Sequence, residues 1–468
     1  MPSRTKDRTT PDAAALQAWV KENAEELKVP GLAVGVLVDG EEHYAFHGVT
    51  SVENPLPVDA STIFQIGSTG KTYTGTAIMR LVEQGKLRLD DKVRAHLPEL
   101  KLQDEDVARA VTIRHLLNHT AGWQGDLLTN TGDGDDALTK YVEMMADLDQ
   151  ETPLGAMVTY NNASLCLAGR VIEMITGQTF EQAVKELIFE PLGHEHSFFF
   201  PNEIMTRRFA AGHQDHEDGS ITVTRPWALP RNGNPAGGEC TTAADQISWA
   251  RFHLGDGTAG DGTRVLSQEL LKLMQEPTST NPLGEMYGIT WHITDREGVR
   301  FVEHGGDTLG QHSIFHMAPE RGFALTSLTN CGPNGSIFNE RLQRWAFEAY
   351  LGVVEVEPET ESPTDAQLAE YAGGYETIAT TGTIRPEGGG FVVEVAIKPE
   401  ALEGLIEEGA EMPEAPPPIP FQMVAGKPDV CVCTDGPYKG EKAFFVRDGS
   451  GAVTGFHFGG RLMSRSGP

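Results

Sequence analysis

Three short motifs carry the side chains that acyl-transfer chemistry requires. The first is Ser68-Thr69-Gly70-Lys71, which follows an apolar run ending at Gly67 and opens a helical pattern ending at Gly85. A serine and a lysine three positions apart lie on the same face of a helix. The N-terminus of a helix carries a partial positive charge, and both side chains would lie there. A serine hydroxyl at such a position, with an amine beside it, is suited to attack a carbonyl carbon atom. The pattern predicts that Ser68 is a nucleophile and forms an acyl-enzyme.

The second and third motifs supply further polar groups. Tyr160-Asn161-Asn162 lies where an extended segment meets a predicted helix, and His304-Gly305-Gly306-Asp307 lies at the end of a predicted strand. Two groups are candidates for the base that takes the Ser68 proton. One is Lys71, if burial and nearby cations depress its pKa, and the other is Tyr160 as a phenolate. The sequence leaves both open, and groups in such close contact titrate as a coupled unit.

In this order, the motifs resemble those of the serine β-lactamase and penicillin-binding-protein superfamily, in its class C-like branch of esterases and D-aminopeptidases. The resemblance covers roughly residues 10–350 and includes three further segments, residues 29–35, 111–122 and 235–238. The C-terminal segment is similar to the lipocalin-like barrel that follows the catalytic domain in some members of this branch.

The resemblance implies roles for the remaining motif residues. The amide groups of Ser68 and Asp307 would form an oxyanion hole, in which each donor typically contributes about 3–4 kcal/mol to lowering the barrier. Gly305 and Gly306 would line the same substrate-binding pocket. Asn162 would hydrogen-bond either a substrate amide or the ammonium group of Lys71.

His304 occupies the position of the lysine in the commoner K-T-G motif. In the family, a lysine there anchors a substrate carboxylate, as in β-lactams and D-Ala-D-Ala peptides. Histidine has a pKa near 6.5, so His304 is expected to be largely neutral at pH 7 and to donate through a ring N–H. This difference favours a peptidase, amidase or esterase over a β-lactamase.

Composition narrows the classes of function. The chain has 468 residues, of which 39% are hydrophobic, and a formal net charge of -30 at pH 7. Such acidity argues against binding to nucleic acid or to an anionic membrane surface.

The first ten residues are polar and no apolar stretch is long enough to span a bilayer, so we expect a cytoplasmic protein. An exported protein whose signal segment has been trimmed is the alternative. An odd, scattered set of 5 cysteines does not indicate a disulfide framework.

The order of the predicted elements indicates the fold class. Strand patterns near residues 31–46 and 288–328 flank a mostly helical stretch, residues 75–270, and a closing helix follows. This order predicts an α/β (α+β) fold, in which an antiparallel β-sheet is flanked by helices and carries an all-helical insertion, as in the β-lactamase/transpeptidase-like fold. The predicted organisation is a flexible tail (1–10), a serine hydrolase domain (11–355), a linker (356–363) and a small all-β barrel domain (364–468).

These observations predict a serine hydrolase that uses no cofactor and no metal. Its expected partner is a small-molecule or short-peptide substrate, cleaved by a (D-amino-)peptidase, amidase or esterase activity. The alternatives are a β-lactamase or transacylase at the same site, or a non-catalytic acyl-sensing or penicillin-binding protein. A metal site at His194-Glu195-His196 is disfavoured because the segment is predicted to be an exposed turn. Oligomeric state stays open.

Overall fold

The chain forms a large mixed domain followed by a β-barrel. The computed structural model describes residues 11–216, 218–402 and 416–467, so the predicted tail (1–10) lies outside the described residues. Of the described helices, none has the length and apolarity needed to cross a bilayer.

The large domain is built on an eight-stranded antiparallel sheet with the strand order β2-β1-β12-β11-β10-β9-β8-β7. The first strand in the chain, β1, pairs with the last strand of the domain, β12. The predicted sheet made from both ends of the domain is therefore confirmed. The strands are β1 (Gly31–Val38), β2 (Glu41–Gly48), β3 (Phe64–Gln65), β4 (His213–Asp215), β5 (Ile221–Val223), β6 (Cys240–Thr241), β7 (Ser279–Thr280), β8 (Met286–Tyr287), β9 (His292–Arg296), β10 (Val299–Asp307), β11 (His312–Ala318) and β12 (Phe323–Thr329).

The insertion between β3 and β7 is mainly helical, as predicted, and contains α2 to α12. It also holds β4 and β5, which pair with each other, and β6, which pairs with β3. The helices are α1 (Ala13–Glu26), α2 (Lys71–Glu83), α3 (Glu105–Ala110), α4 (Ile113–Leu117), α5 (Ala137–Met144), α6 (Asn162–Thr176), α7 (Phe180–Val184), α8 (Glu190–Leu192), α9 (Pro201–Ile204), α10 (Asn234–Gly237), α11 (Ala243–Leu254), α12 (Gln268–Met274), α13 (Asn334–Ala346) and α14 (Asp365–Tyr371).

Helices cover both faces of the sheet, so every residue of β1 is buried. On one face α1 packs beside α13, where the rings of Trp19 and Trp345 stack with centroids 4.9 Å apart. On the other face α11 lies very close to β1, because a Cβ added to Gly35 would be 2.7 Å from the Ile247 side chain. A strand buried on both faces reads as a continuous apolar run, as β1 does.

The C-terminal part forms a closed barrel of eight strands, β14 to β21. Closure comes from the pairing of β17 with β18, and β13 adds to the edge of β17. The predicted barrel is confirmed, and aromatic rings such as Phe391, Phe421 and Phe456 fill its core. Its strands are β13 (Thr360–Glu361), β14 (Gly373–Glu376), β15 (Thr380–Glu387), β16 (Gly390–Ile397), β17 (Ile419–Val424), β18 (Val430–Cys433), β19 (Lys442–Arg447), β20 (Val453–Phe458) and β21 (Arg461–Gly467).

Candidate active site

Ser68 lies in a single 3₁₀ turn, Gly67–Gly70, that leads directly into α2. Gly67 has φ +51°, and a Cβ built on it would lie 2.6 Å from the amide nitrogen of Asp307. The left-handed backbone and this close approach both favour glycine. The turn therefore brings Ser68 against the end of β10.

Lys71 is fully buried and its amine faces the serine. Lys71 Nζ lies 2.9 Å from Ser68 Oγ and donates to the carbonyl oxygen of Ala236 at 2.6 Å. Burial lowers the pKa of Lys71 to about 7, and the positive charge of Arg461 acts in the same direction. A neutral amine is consequently well populated at neutral pH.

Tyr160 completes this cluster. Lys71 Nζ lies 4.8 Å from the centroid of the Tyr160 ring. The Ser68 side chain acts on the Tyr160 hydroxyl group and lowers its pKa, although less than burial raises it. Burial raises the pKa of Tyr160 above its ordinary value of 10.0, so the neutral phenol dominates near pH 7. The three side chains that the sequence motifs predicted to act together, Ser68, Lys71 and Tyr160, therefore lie in one cluster.

The neutral ring of His304 donates to a backbone carbonyl group through one of its two nitrogen atoms. Its Nδ1 lies 2.6 Å from the carbonyl oxygen of Gly305. Since a carbonyl only accepts, Nδ1 carries the proton of the neutral ring and Nε2 has the lone pair. Burial, followed by the charges of His292 and Lys71, lowers the pKa of His304 well below 6.5. Nε2 is buried without a hydrogen-bond partner among the described residues.

The end of β10 supplies backbone amide groups beside Ser68. The Thr308 amide donates to the Gln311 carbonyl. Because N–H directions alternate along an antiparallel strand, the Asp307 amide points away from β11 and toward the Ser68 turn. A Cβ on Gly306 would lie 2.7 Å from the Ser68 amide nitrogen. This arrangement is suited to an oxyanion hole formed by two backbone amides.

The side-chain amide of Asn162 is held by an acidic residue and not by Lys71. Its amide nitrogen donates to Asp126 Oδ1 at 2.7 Å. The Asp126 carboxylate also forms a salt bridge with Arg461, which belongs to β21 of the barrel. A charged acceptor so close holds the Asn162 amide more strongly than a neutral one would.

The described residues offer no site for a metal ion, since no group of three or more His, Cys, Asp or Glu side chains among them has suitable geometry. His194 lies in the core rather than in the exposed turn that we predicted. It contacts the rings of Tyr73 and Trp249 edge to face. Apolar neighbours therefore explain its burial.

Comparison with known proteins identifies the family. The family described as Beta-lactamase matches residues 16–349. The chain belongs to the β-lactamase family. Penicillin-binding protein 4 of Amycolatopsis lactamdurans is 36% identical over 358 residues, which cover 75% of this chain and 94% of that relative. A β-lactamase of Yersinia enterocolitica is 29% identical over 271 residues, or 58% of this chain and 66% of that relative.

Solved structures extend the likeness to the whole two-part architecture of this β-lactamase-family protein. The crystal structure of SurE matches with a TM-score of 0.74 and 24% identity, covering 97% of this chain and 99% of that chain. The octameric penicillin-binding protein homologue from Pyrococcus abyssi matches with a TM-score of 0.64 and 22% identity, with the same coverage. At such identities the likeness is one of fold.

Sequence reasoning missed several residues that surround Tyr160. His119, which lies in the segment 111–122, has its ring centroid 4.6 Å from that of Tyr160. Its Nδ1 accepts from the Asn161 amide at 3.1 Å. Asp126 and Arg461 were not singled out at all. The segment Asn118-His119-Thr120-Ala121-Gly122 gave a signal for His119, whereas Arg461 lies in a hairpin with no motif.

A buried carboxyl group lies directly beneath the nucleophile turn. Glu239 is 0% exposed, and its carbonyl oxygen accepts from the Ile66 amide. Neither carboxyl oxygen of Glu239 has a hydrogen-bond partner among the described residues. Burial, and then the charge of Asp245, raise the pKa of Glu239 well above 4.5. The folded protein therefore keeps this group protonated where the unfolded chain has released the proton.

We expect Glu239→Gln to stabilise the protein at neutral and alkaline pH. Above a pKa of about 4.3 the unfolded wild type binds fewer protons than the native state, so its stability falls as the pH rises. Glutamine removes this penalty, which is about 1.4 kcal/mol per pH unit until the pH reaches the folded pKa. Thermal unfolding of both proteins from pH 4 to pH 8 measures the difference. A difference in melting temperature that does not grow with pH would contradict the prediction.

Proposed function

We propose that the protein is a serine hydrolase that forms an acyl-enzyme on Ser68 and cleaves amide or ester bonds of short peptides or small acyl compounds. The observation that carries this proposal is the 2.9 Å contact between Ser68 Oγ and Lys71 Nζ. Full burial of Lys71 makes the neutral amine available as a base at neutral pH. The membership in the β-lactamase family supports the same reaction class.

In the proposed reaction Ser68 Oγ attacks the substrate carbonyl carbon and its proton passes to the neutral amine of Lys71. The amides of Ser68 and Asp307 hold the oxygen that becomes negative. Tyr160 is neutral and its ring lies 4.8 Å from Lys71 Nζ, so it is suited to donate a proton to the leaving amine or alkoxide and to recover one from Lys71. Water then attacks the ester by the reverse route, which releases the acid and restores Ser68.

The histidine at position 304 supports substrates other than carboxylate-anchored ones. Its pKa is lowered by burial, so it has no positive charge at neutral pH with which to pair a carboxylate. A neutral side chain at this position is compatible with uncharged amide and ester groups of a substrate. A second candidate, acylation by β-lactams, is favoured by the 36% identity to a protein named penicillin-binding protein 4.

The decisive experiment combines active-site labelling with a substrate panel. The panel contains p-nitrophenyl esters, L- and D-aminoacyl anilides and nitrocefin. Treatment with a fluorophosphonate followed by mass spectrometry should find the adduct on Ser68. Ser68→Ala should lose the adduct and lower turnover of every accepted substrate by about 10⁴-fold or more.

The exposed Ser61, seven positions earlier, provides a matched control. Ser61→Ala should label and turn over substrate as the wild type does, because the Ser61 hydroxyl is exposed and donates to the Asp59 carboxylate, away from the site. An adduct on another residue, or hydrolysis unaffected by Ser68→Ala, would overturn the proposal. Turnover of nitrocefin but not of the esters or anilides would favour the second candidate.

A further inference from the structure

The barrel reaches into the candidate active site through the hairpin that joins β20 to β21. The carbonyl oxygen of Gly460 accepts from the Tyr160 amide at 2.7 Å. His457 Nε2 lies 3.0 Å from the carbonyl oxygen of Val158. Both contacts fix the extended segment that carries Tyr160, so the backbone of the hairpin anchors this side of the site.

The next residue of the hairpin, Arg461, places a positive charge against the tyrosine. Its guanidinium carbon lies 4.8 Å from the centroid of the Tyr160 ring. This is the same distance as that from Lys71 Nζ to the ring. The ring is thus in contact with two cationic side chains, one from each domain, and such contacts strengthen when they are shielded from water.

Arg461 is also tied to the other end of the same motif. Its guanidinium group forms a two-point contact with the carboxylate of Asp126, which in turn accepts from the Asn162 side chain. The side chain of Asp126 is only 12% exposed. A chain of charge-assisted hydrogen bonds therefore runs from the barrel to the first residue of α6.

We propose that Arg461 is a positioning residue that the barrel supplies to the acyl-transfer site. It holds the Tyr160-Asn161-Asn162 turn in place through Asp126, and its charge disfavours a second cation nearby. The inference rests on the proposed function, since it assigns the barrel a part in the reaction at Ser68.

The electrostatic part of the proposal concerns the protonation of Lys71. A positive charge at Arg461 lowers the pKa of Lys71, whereas Cys166 and Asp126 raise it. Removal of the arginine charge should therefore raise the pKa of Lys71, so that the neutral amine forms only at higher pH. The titratable or charged groups facing Lys71 and Tyr160 are His119, Asp126, Cys166, His292, His304, Asp307 and Arg461.

The test measures the rate at which a fluorophosphonate labels Ser68 in the full-length protein between pH 5 and pH 10. We expect Arg461→Met to slow labelling at pH 7 by about 10- to 100-fold, because a small displacement of Tyr160 is costly to catalysis. The midpoint at which the rate rises with pH should also move to higher pH. Arg461→Lys should restore the midpoint but only part of the rate, because lysine has the charge without the two-point contact.

Arg447 provides a matched control within the barrel. Its guanidinium carbon lies 5.7 Å from the Tyr371 ring centroid, and it pairs with Asp429 at 2.9 Å. Arg447→Met therefore removes the same kind of contact away from the site, and its labelling rate and midpoint should equal those of the wild type. Arg461→Met leaves the Asp126 carboxylate without its salt-bridge partner, which could destabilise the fold. The double variant Arg461→Met/Asp126→Asn removes that charge as well. Its Ser68 labelling rate should still be lower than that of the wild type at high pH.

The outcomes separate this inference from the proposed function. A wild type that fails to label on Ser68 overturns both. A wild type that labels on Ser68, together with an Arg461→Met variant that has the same rate and midpoint, overturns only the role of Arg461. Equal slowing in Arg461→Met and Arg447→Met would also overturn it, because the effect would then be a general loss of barrel stability.

Discussion

Lys71→Met is expected to lower kcat/KM for the best substrate by about 10²- to 10⁴-fold, the usual contribution of a general base. The Lys71 amine lies 2.9 Å from the Ser68 hydroxyl oxygen, and the Lys71 side chain is fully buried. Methionine has a similar shape and no base. Steady-state kinetics of a substrate identified in the panel, with the melting temperature as a check on folding, measure the effect.

The pH dependence distinguishes Lys71 from Tyr160 as the base. Only the neutral amine accepts a proton, and the pKa of Lys71 is lowered to about 7, so kcat/KM should rise as the pH increases through this value. Lys71→Arg retains a cation that does not deprotonate and should be as impaired as Lys71→Met. A profile that rises only near pH 10 or above, with activity retained in Lys71→Met, would assign the base to Tyr160 instead.

The parts of the site that follow from local sequence were predictable. Ser68 and Lys71 are three residues apart on one short turn, so their contact is fixed by helical geometry alone. The glycine pair before Asp307 likewise signals a close approach of backbone, and Gly306 indeed leaves no room for a Cβ beside the Ser68 amide. Such features depend on few residues and little on the rest of the chain.

Long-range partners were not predictable in this way. Asp126 and Arg461 are separated by more than three hundred positions, yet they form one salt bridge. Neither belongs to a motif, and the pairing depends on how the barrel docks on the large domain. The sequence pattern predicts a barrel, because the strands are short, regularly spaced and separated by turns. It does not predict which surface of the barrel contacts the large domain.

The position of the proton on the His304 ring was not predictable, for a related reason. The residue type predicts that the ring is largely neutral near pH 7. Which ring nitrogen carries the proton depends on the neighbouring backbone carbonyl group. The Gly305 carbonyl oxygen lies 2.6 Å from Nδ1 and so takes the only ring proton. The backbone conformation at the end of β10 therefore decides which ring nitrogen of His304 carries the proton.

Gly306→Ala is expected to lower the rate of Ser68 acylation by about 10²- to 10³-fold, the effect of losing one oxyanion-hole donor. A Cβ at this position would lie 2.0 Å from the carbonyl oxygen of Ile66 and 2.7 Å from the Ser68 amide nitrogen. Both atoms belong to backbone, so the turn that holds Ser68 must move away from β10. The Ser68 and Asp307 amides would then no longer converge on one oxygen.

Gly305→Ala on the same strand is the comparison that isolates this effect. Its added Cβ would meet nothing nearer than the Ser313 carbonyl oxygen at 3.5 Å, an ordinary contact. Fluorophosphonate labelling rates of the two variants, with circular dichroism to confirm folding, should show a much larger loss for Gly306→Ala. Equal losses would mean that this end of β10 is sensitive to any side chain, and would argue against an oxyanion hole formed by the Ser68 and Asp307 amides.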